Sequence, residues 1–190
     1  MATIRELSSV LGASARANKY RVTFAFPSGV SGATNLDEVD ILAKTAIAPQ
    51  KEIGQIELWN QGRKLVIPGD TAFDNAWSVD FYLTEDHKLR YDIVKWMDAC
   101  DNFQTNTHTG NPLAVFADLR LEQLDSAGNV TATYTMHNCY PSTVGDVTYG
   151  DDTADTPAEF NVVFAYSDWV LGKEETSNYS IASATKNDIA

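Results

Sequence analysis

The residues best suited to chemistry in this chain are three histidines, two cysteines and a cluster of aspartates. His87, His108 and His137 are scattered, and none has a second ligand two or four residues away. A surface or capping role therefore suits each better than metal binding. Asp151, Asp152 and Asp155 lie in a Gly/Thr-rich stretch whose carboxylates could hold calcium. The EF-hand spacing, with its central glycine and closing glutamate, is missing, which favours a solvated acidic loop. Cys100 and Cys139 form no disulfide framework and lack neighbours at zinc spacing, so they are expected as small buried hydrophobes in a reducing compartment. No serine stands in a glycine-flanked elbow, and no glycine-rich phosphate loop opens a helix. Four tryptophans and eight tyrosines could form a sugar-stacking platform, but their alternating strand positions point to core packing. The pattern predicts no catalytic residue, no metal and no cofactor.

The elements that carry these residues are mostly strands. Lys19–Phe26 alternates, with Tyr20, Val22, Phe24 and Phe26 on one parity. A Pro/Ser/Gly loop follows, then a second predicted strand over Val39–Ile47, ended by Pro49. Ile53–Trp59 and Arg63–Ile67 flank Asn60-Gln61-Gly62, predicted as a three-residue hairpin loop with Gly62 in the left-handed position, and Pro68-Gly69-Asp70 closes the hairpin. Trp77–Leu83 alternates again. One helix stands out: Thr84, Glu85 and Asp86 supply a cap and two acids, and Leu89, Ile93, Trp96, Met97 and Cys100 recur at helical spacing up to about Asp101.

Asn102–Pro112 is predicted as polar loop, Leu113–Leu124 and Val130–Met136 as a second hairpin, Asn138–Pro157 as a long loop, and Phe160–Val170 as one last strand. Strands, one helix, then strands predicts a mainly β fold: an antiparallel β-sandwich or barrel with one flanking α-helix. Residues 1–171 are expected to form a single domain, followed by a polar C-terminal tail, 172–190.

Composition limits the partners. The 190 residues carry 14 basic and 26 acidic side chains, for a net charge of −12. Such a balance excludes a basic grip on nucleic acid or on an anionic membrane, both of which are polyanions. The charge is uneven: residues 1–95 hold 11 bases and 12 acids, residues 96–190 only 3 bases against 14 acids. The first 18 residues lack an apolar signal-peptide core, and no apolar run reaches the ~18 residues that span a bilayer.

Motifs spread along the chain carry a resemblance. Asn18-Lys19-Tyr20-Arg21-Val22 resembles an aromatic-rich first strand, and Lys44 to Pro49 resembles a Lys-x-x-x-x-Pro segment. The hairpin return Asn60 to Asp70 follows, then Phe73-Asp74-Asn75-Ala76-Trp77. Ile93-Val94-Lys95-Trp96 looks like a Phe-Val-x-Trp helix, Tyr140 to Gly145 like an aromatic-Pro-(Ser/Thr)-x-Val-Gly turn, and Phe160 to Tyr166 like a closing strand. In this order, from about Ala17 to Leu171, the set resembles the major tail tube protein of contractile-tailed bacteriophages. It departs at the extended Pro27–Leu36 loop, in one extra hairpin glycine and in the tail after Leu171.

The resemblance implies a structural virion subunit, assembled in the host cytoplasm as six-fold rings stacked into a hollow tube. Its implied partners are further copies of itself, a contractile sheath, a baseplate and a tape-measure protein, with DNA passing through the bore without specific binding. Two other readings stand beside it: the inner tube of a related contractile injection or type VI secretion device, and a soluble β-sandwich binding module. The hairpin Glu52–Ile67 is the candidate shared wall. Gln55, Glu57, Trp59, Arg63 and Lys64 are its candidate assembly or lumen residues, and Ile56 and Leu58 its dry face. Its register is open by one residue if Gly62 forms a bulge. The same hairpin could instead close the subunit's own sandwich; the resemblance favours the shared wall.

Overall fold

Alternating apolar side chains draw most of the chain into strands, and the computed structural model describes residues 4, 14–27, 30, 36–102, 105–108, 111–151 and 155–172. In chain order these are β1 (Tyr20–Phe24), α1 (Leu36–Leu42), β2 (Ala43–Ala46), β3 (Lys51–Asn60), β4 (Arg63–Phe73), β5 (Ala76–Tyr82), α2 (Lys88–Cys100), β6 (Asp101–Asn102), β7 (Thr107–His108), β8 (Ala117–Leu124), β9 (Val130–Val144), β10 (Glu159–Ala165) and β11 (Asp168–Gly172). Seven strands form one antiparallel sheet in the order β1-β8-β9-β10-β5-β2, with β11 also paired to β9. The predicted mainly antiparallel fold with a helix packed on it is the fold observed. Its edges, β1 and β2, are not paired to each other, so the sheet is not a closed barrel.

The long strand β9 turns the sheet back on itself. Its first part pairs with β8 and β11, and from Tyr140 to Val144 it pairs with β10. The change falls at Asn138, whose positive φ of 55° accompanies a register shift against β8. Past this point the inward parity moves from Met136 to Cys139 and Pro141. The sequence prediction ended this strand at Met136, because His-Asn-Cys-Tyr-Pro-Ser-Thr lacks strand composition. Burial of Cys139 and Pro141 outweighs that local preference.

Both halves of the sheet and α2 bury one core. Trp77, Trp96, Phe81, Phe160, Phe164, Leu89, Ile93, Leu119 and Met136 are essentially inaccessible. Phe164 lies 5.7–6.0 Å, ring to ring, from Phe24, Trp77 and Trp96. The Trp96 indole N–H donates to the Val115 carbonyl at 2.6 Å, which satisfies its one polar atom. With Trp77 and Trp96 in the core, core packing accounts for two of the four tryptophans that could have formed a sugar platform.

Several element boundaries correct the sequence predictions. Residues Leu36–Leu42 are helical, so the predicted strand Val39–Ile47 is reduced to Ala43–Ala46. Val39 is buried and Leu42 packs on the core while Ile41 is exposed, so the i, i+3 spacing wins over the Val39/Ile41 alternation. Helix α2 begins at Lys88, after the left-handed His87, and not directly behind Thr84. The Asp86 carboxylate accepts the Lys88 N–H and the Thr84 hydroxyl, which hold its pKa below the usual value. The last predicted strand is two strands. β10 leaves the sheet at Tyr166, and β11 returns beside the other half of β9. The second hairpin starts at Ala117, because Pro112–Ala114 form a 3-10 turn. Short β6 and β7 pair within the predicted polar loop. Residues 28, 29 and 31–35 of the Pro27–Leu36 loop, and 173–190 of the tail, lie outside the described residues.

The seam between β1 and β2 is held by polar contacts. The Tyr20 hydroxyl donates towards the carbonyl oxygens of Ala43 and Lys44, 3.1 and 2.5 Å away, and burial raises its pKa. Asp40 of α1 accepts the Val22 N–H and pairs with Arg21 at 3.4 Å. Bases of the nearly neutral first half here meet acids of the second: Arg21 with Glu122 at 3.6 Å and Lys44 with Glu159 at 2.5 Å. The charge asymmetry along the chain is thus partly cancelled in space.

Candidate assembly hairpin

Among the described residues, strands β3 and β4 pair only with each other, as a two-stranded sheet separate from the main one. The hairpin therefore does not close the subunit's own sandwich. The turn is Gln61-Gly62, both residues at positive φ (47° and 76°), between the partners Asn60 and Arg63. Two consecutive left-handed residues define a two-residue hairpin turn, not the predicted three-residue loop. Strand β4 also continues through Pro68-Gly69-Asp70 to Phe73.

The bulge lies elsewhere than at Gly62. The register shifts between Ile53/Thr71 and Gln55/Pro68, so Gly54 faces both Gly69 and Asp70. A Cβ on Gly69 would sit 3.1 Å from the Gly54 carbonyl oxygen, and one on Gly54 would sit 3.3 Å from that of Asp70. A side chain at either position would force the facing backbone to give by a few tenths of an ångström, so glycine suits this close approach.

Between bulge and turn the two faces differ in kind. Ile56, Leu58, Leu65 and Ile67 share one face, as the cross-strand pairs Ile56/Ile67 and Leu58/Leu65. They remain 49, 48, 59 and 37 % exposed, and form an apolar strip with no cover from the main sheet. The opposite face carries Gln55, Glu57, Trp59 and Lys64. Lys64 forms an ion pair with Glu57, and its ammonium lies 6.0 Å over the Trp59 ring. The structure thus brings four of the five candidate residues onto one face. Arg63 pairs with Asn60 at the tip, in the parity of the aliphatic face.

The hairpin is tied to the sheet at its base. Phe73 packs edge-on against Trp169 of β11, and the Trp169 indole donates to the Gln50 carbonyl at 3.1 Å. Tyr134 flanks the same indole at 5.7 Å. These anchors were missed from sequence, because the pairing of β11 with β9 that places Trp169 is non-local. The Gly54/Gly69 crossing did leave a signal, as two glycines inside strand-like runs.

The two-residue turn also dictates which backbone groups are free. Asn60 and Arg63 form a hydrogen-bonded pair, and so by alternation do Leu58/Leu65 and Ile56/Ile67. The N–H and C=O of Gln55, Glu57 and Trp59 therefore point outward on the β3 edge, and those of Lys64 and Val66 on the β4 edge. Pro68 takes the next outward position, where its missing N–H breaks no ladder bond. Among the described residues, both edges of the hairpin are thus unpaired and its apolar face is exposed.

Nothing comparable surrounds the residues suited to chemistry. Among the described residues no three His, Cys, Asp or Glu side chains gather to hold a metal ion. His87 precedes α2, and His137 lies 3.4 Å from the Asp118 carboxylate. Asp151 and Asp155 are exposed, while Asp152 lies outside the described residues. Burial pushes the Cys139 thiol up to about 12, which makes it inert.

The profile of the phage tail tube protein family matches residues 15–172. The chain belongs to that family. It is therefore a structural tube subunit and virion component, not an enzyme. The tail tube protein of Serratia phage KSP90 is 29% identical over 169 residues, covering 87% of this chain and 95% of the relative. Among solved structures, a chain of the anti-feeding prophage baseplate, determined by cryo-EM with 6-fold symmetrisation, superposes with a TM-score of 0.62. It is 12% identical and covers 91% of this chain and 98% of its own. A chain of the sheath–tube complex of the PVC extracellular contractile injection system, in its extended state, gives 0.58 at 12% identity, covering 87% and 97%. At that identity both show a shared fold. Among the described residues no helix is long and apolar enough to cross a membrane.

Proposed function

We propose that this tail tube subunit assembles into six-membered rings, stacked within a contractile sheath as the hollow conduit for DNA ejection. The observation that carries this reading is the self-paired β3–β4 hairpin, open on both edges and along its aliphatic face. Joining such hairpins edge to edge removes the open edges and builds a closed many-stranded wall around an aqueous channel. The aliphatic face turns toward protein, and the face carrying Gln55, Glu57, Trp59 and Lys64 is wet. The sheath, baseplate and tape-measure protein are the further partners, and assembly takes place in the host cytoplasm. Residues 1–171 act as one unit, with the tail from 172 outside it.

A conduit for DNA works best when it does not bind DNA. A net charge of −12 supports passage without specific contact, because carboxylates repel phosphates. The likeness to contractile injection systems is one of fold, whereas the 29% identical relative is a phage protein, which favours DNA as cargo. Negative-stain electron microscopy across a concentration series tests the reading. Rings or hollow tubes are expected at high concentration; a protein that stays monomeric at every concentration overturns it.

A further inference from the structure

Between the bulge and the turn, each edge of the hairpin carries one charge among its outward-facing residues. On β3 these residues are Gln55, Glu57 and Trp59; on β4 they are Lys64, Val66 and Pro68. Two hairpins can join in three ways. Pairing β3 with β3, or β4 with β4, is two-fold symmetric and sets Glu57 near Glu57, or Lys64 near Lys64. Pairing β3 with the neighbour's β4 sets Glu57 near Lys64, keeps the strands antiparallel and leaves a free edge at each end for the next copy. Pro68 removes one donor from the β4 edge, which further weakens β4–β4 joining by a second missing bond.

We infer that Glu57 and Lys64 are the specificity-determining pair that makes the hairpin join a second copy of this chain head to tail, and not as a two-fold dimer. The inference rests on the hairpin being the assembly surface. Hydrogen bonding permits only outward residues to face each other, so any allowed register keeps Glu57 and the neighbour's Lys64 on one face. Each Glu57 then lies between its own Lys64, with which it already pairs, and that of the next copy. The result is an alternating ladder of charge along the wet face. The aliphatic strips of Ile56, Leu58, Leu65 and Ile67 run on unbroken on the other face.

The test uses Glu57→Lys, Lys64→Glu, the swap carrying both, and an equimolar mixture of the two single variants, with rings counted by electron microscopy and assembly followed by sedimentation. Each single variant alone is expected to need at least about tenfold more protein than the wild type, because attraction becomes repulsion at every joint. The swap restores assembly. So does the mixture, by alternating the two chains around an even-numbered ring, although the pair inside each hairpin stays broken. Single variants that assemble like the wild type overturn the inference. A mixture that stays dispersed while the swap assembles also overturns it, since the pair then acts only within one hairpin. A wild-type protein that forms no rings strikes the assembly reading itself, which separates the two failures.

Discussion

Strands β5 and β3 both alternate apolar with polar residues, and they meet opposite fates. In β5, Trp77, Val79 and Phe81 vanish into the core, while Ser78 and Asp80 face the other side. In β3, Ile53, Ile56 and Leu58 all remain about half exposed. The alternation is alike; the neighbours are not. β5 lies between β10 and β2 under a helix-covered core, whereas β3 pairs, among the described residues, with β4 alone. The comparison separates stability from function. The sheet and α2 bury the core, whereas the hairpin leaves its apolar side chains about half exposed, as the proposed assembly requires.

The largest expected effect breaks assembly alone. Replacing Ile56 and Leu58 together by Asp should abolish rings at all concentrations, while stability of the unassembled protein moves by less than ~0.5 kcal/mol, as for exposed sites. Electron microscopy and thermal unfolding of the same sample check both halves. The mirror experiment is Trp96→Ala, which empties the core beside Phe24 and Phe164 and strands the Val115 carbonyl. It should destabilise by about 3–5 kcal/mol and lower Tm by roughly 10 °C. A small Tm change would mean that the core is less continuous than its contacts indicate.

Smaller changes sharpen the boundary between the two regions. Gly62→Val places a β-branched residue at φ 76° with nothing within 4 Å of the added Cβ, so the effect is backbone strain and not a clash. About 1–2 kcal/mol of local destabilisation is expected. Amide exchange should rise in β3 and β4 and stay unchanged in β5 and β10. Tyr20→Phe removes the hydroxyl that bridges β1 to Ala43 and Lys44, at about 1 kcal/mol, read as a Tm shift of a few degrees.

The smallest effect lies in the β8–β9 turn. Hydrogen bonds from Asn129 hold the Asp125 pKa below its ordinary 3.8. A carboxylate depressed on folding stabilises above the unfolded value and loses that contribution as pH falls through the folded one. The stability gap between wild type and Asp125→Ala should therefore be full at neutral pH and close below about pH 4. An acid-unfolding series on both proteins shows whether it does.

How much was legible in advance depends on how local the cause was. The parity of Val22 and Phe24, of Trp77, Val79 and Phe81, and of Leu89, Ile93 and Trp96 along α2 could be seen as alternation or helical spacing, because each strand or helix buries one face. The hairpin and the parity that sets Gln55, Glu57, Trp59 and Lys64 apart from Ile56 and Leu58 follow from the same alternation. The sheet-switching bend at Asn138, the division of β10 from β11 and the Trp169 anchor were not. Each depends on a partner distant in the chain, and a polar or unpunctuated run carries no mark of it. Register stayed open by one residue in the sequence because a bulge was allowed at Gly62; it lies instead at Gly54 opposite Gly69 and Asp70, where the close approach exists only once both strands are paired.

The sequence by itself determined the strand-rich class, the long helix after Thr84, the net acidic charge and the motif order that ties the chain to its family. Those properties follow from local periodicity and composition. Tertiary structure alone decided which alternating strands are buried and which stand free. Burial is a relation between segments, and an alternating apolar pattern is core in the main sheet and about half exposed in the hairpin. It also brought Glu122 and Glu159 of the second half against Arg21 and Lys44, so the charge imbalance first seen along the chain is softened at these contacts.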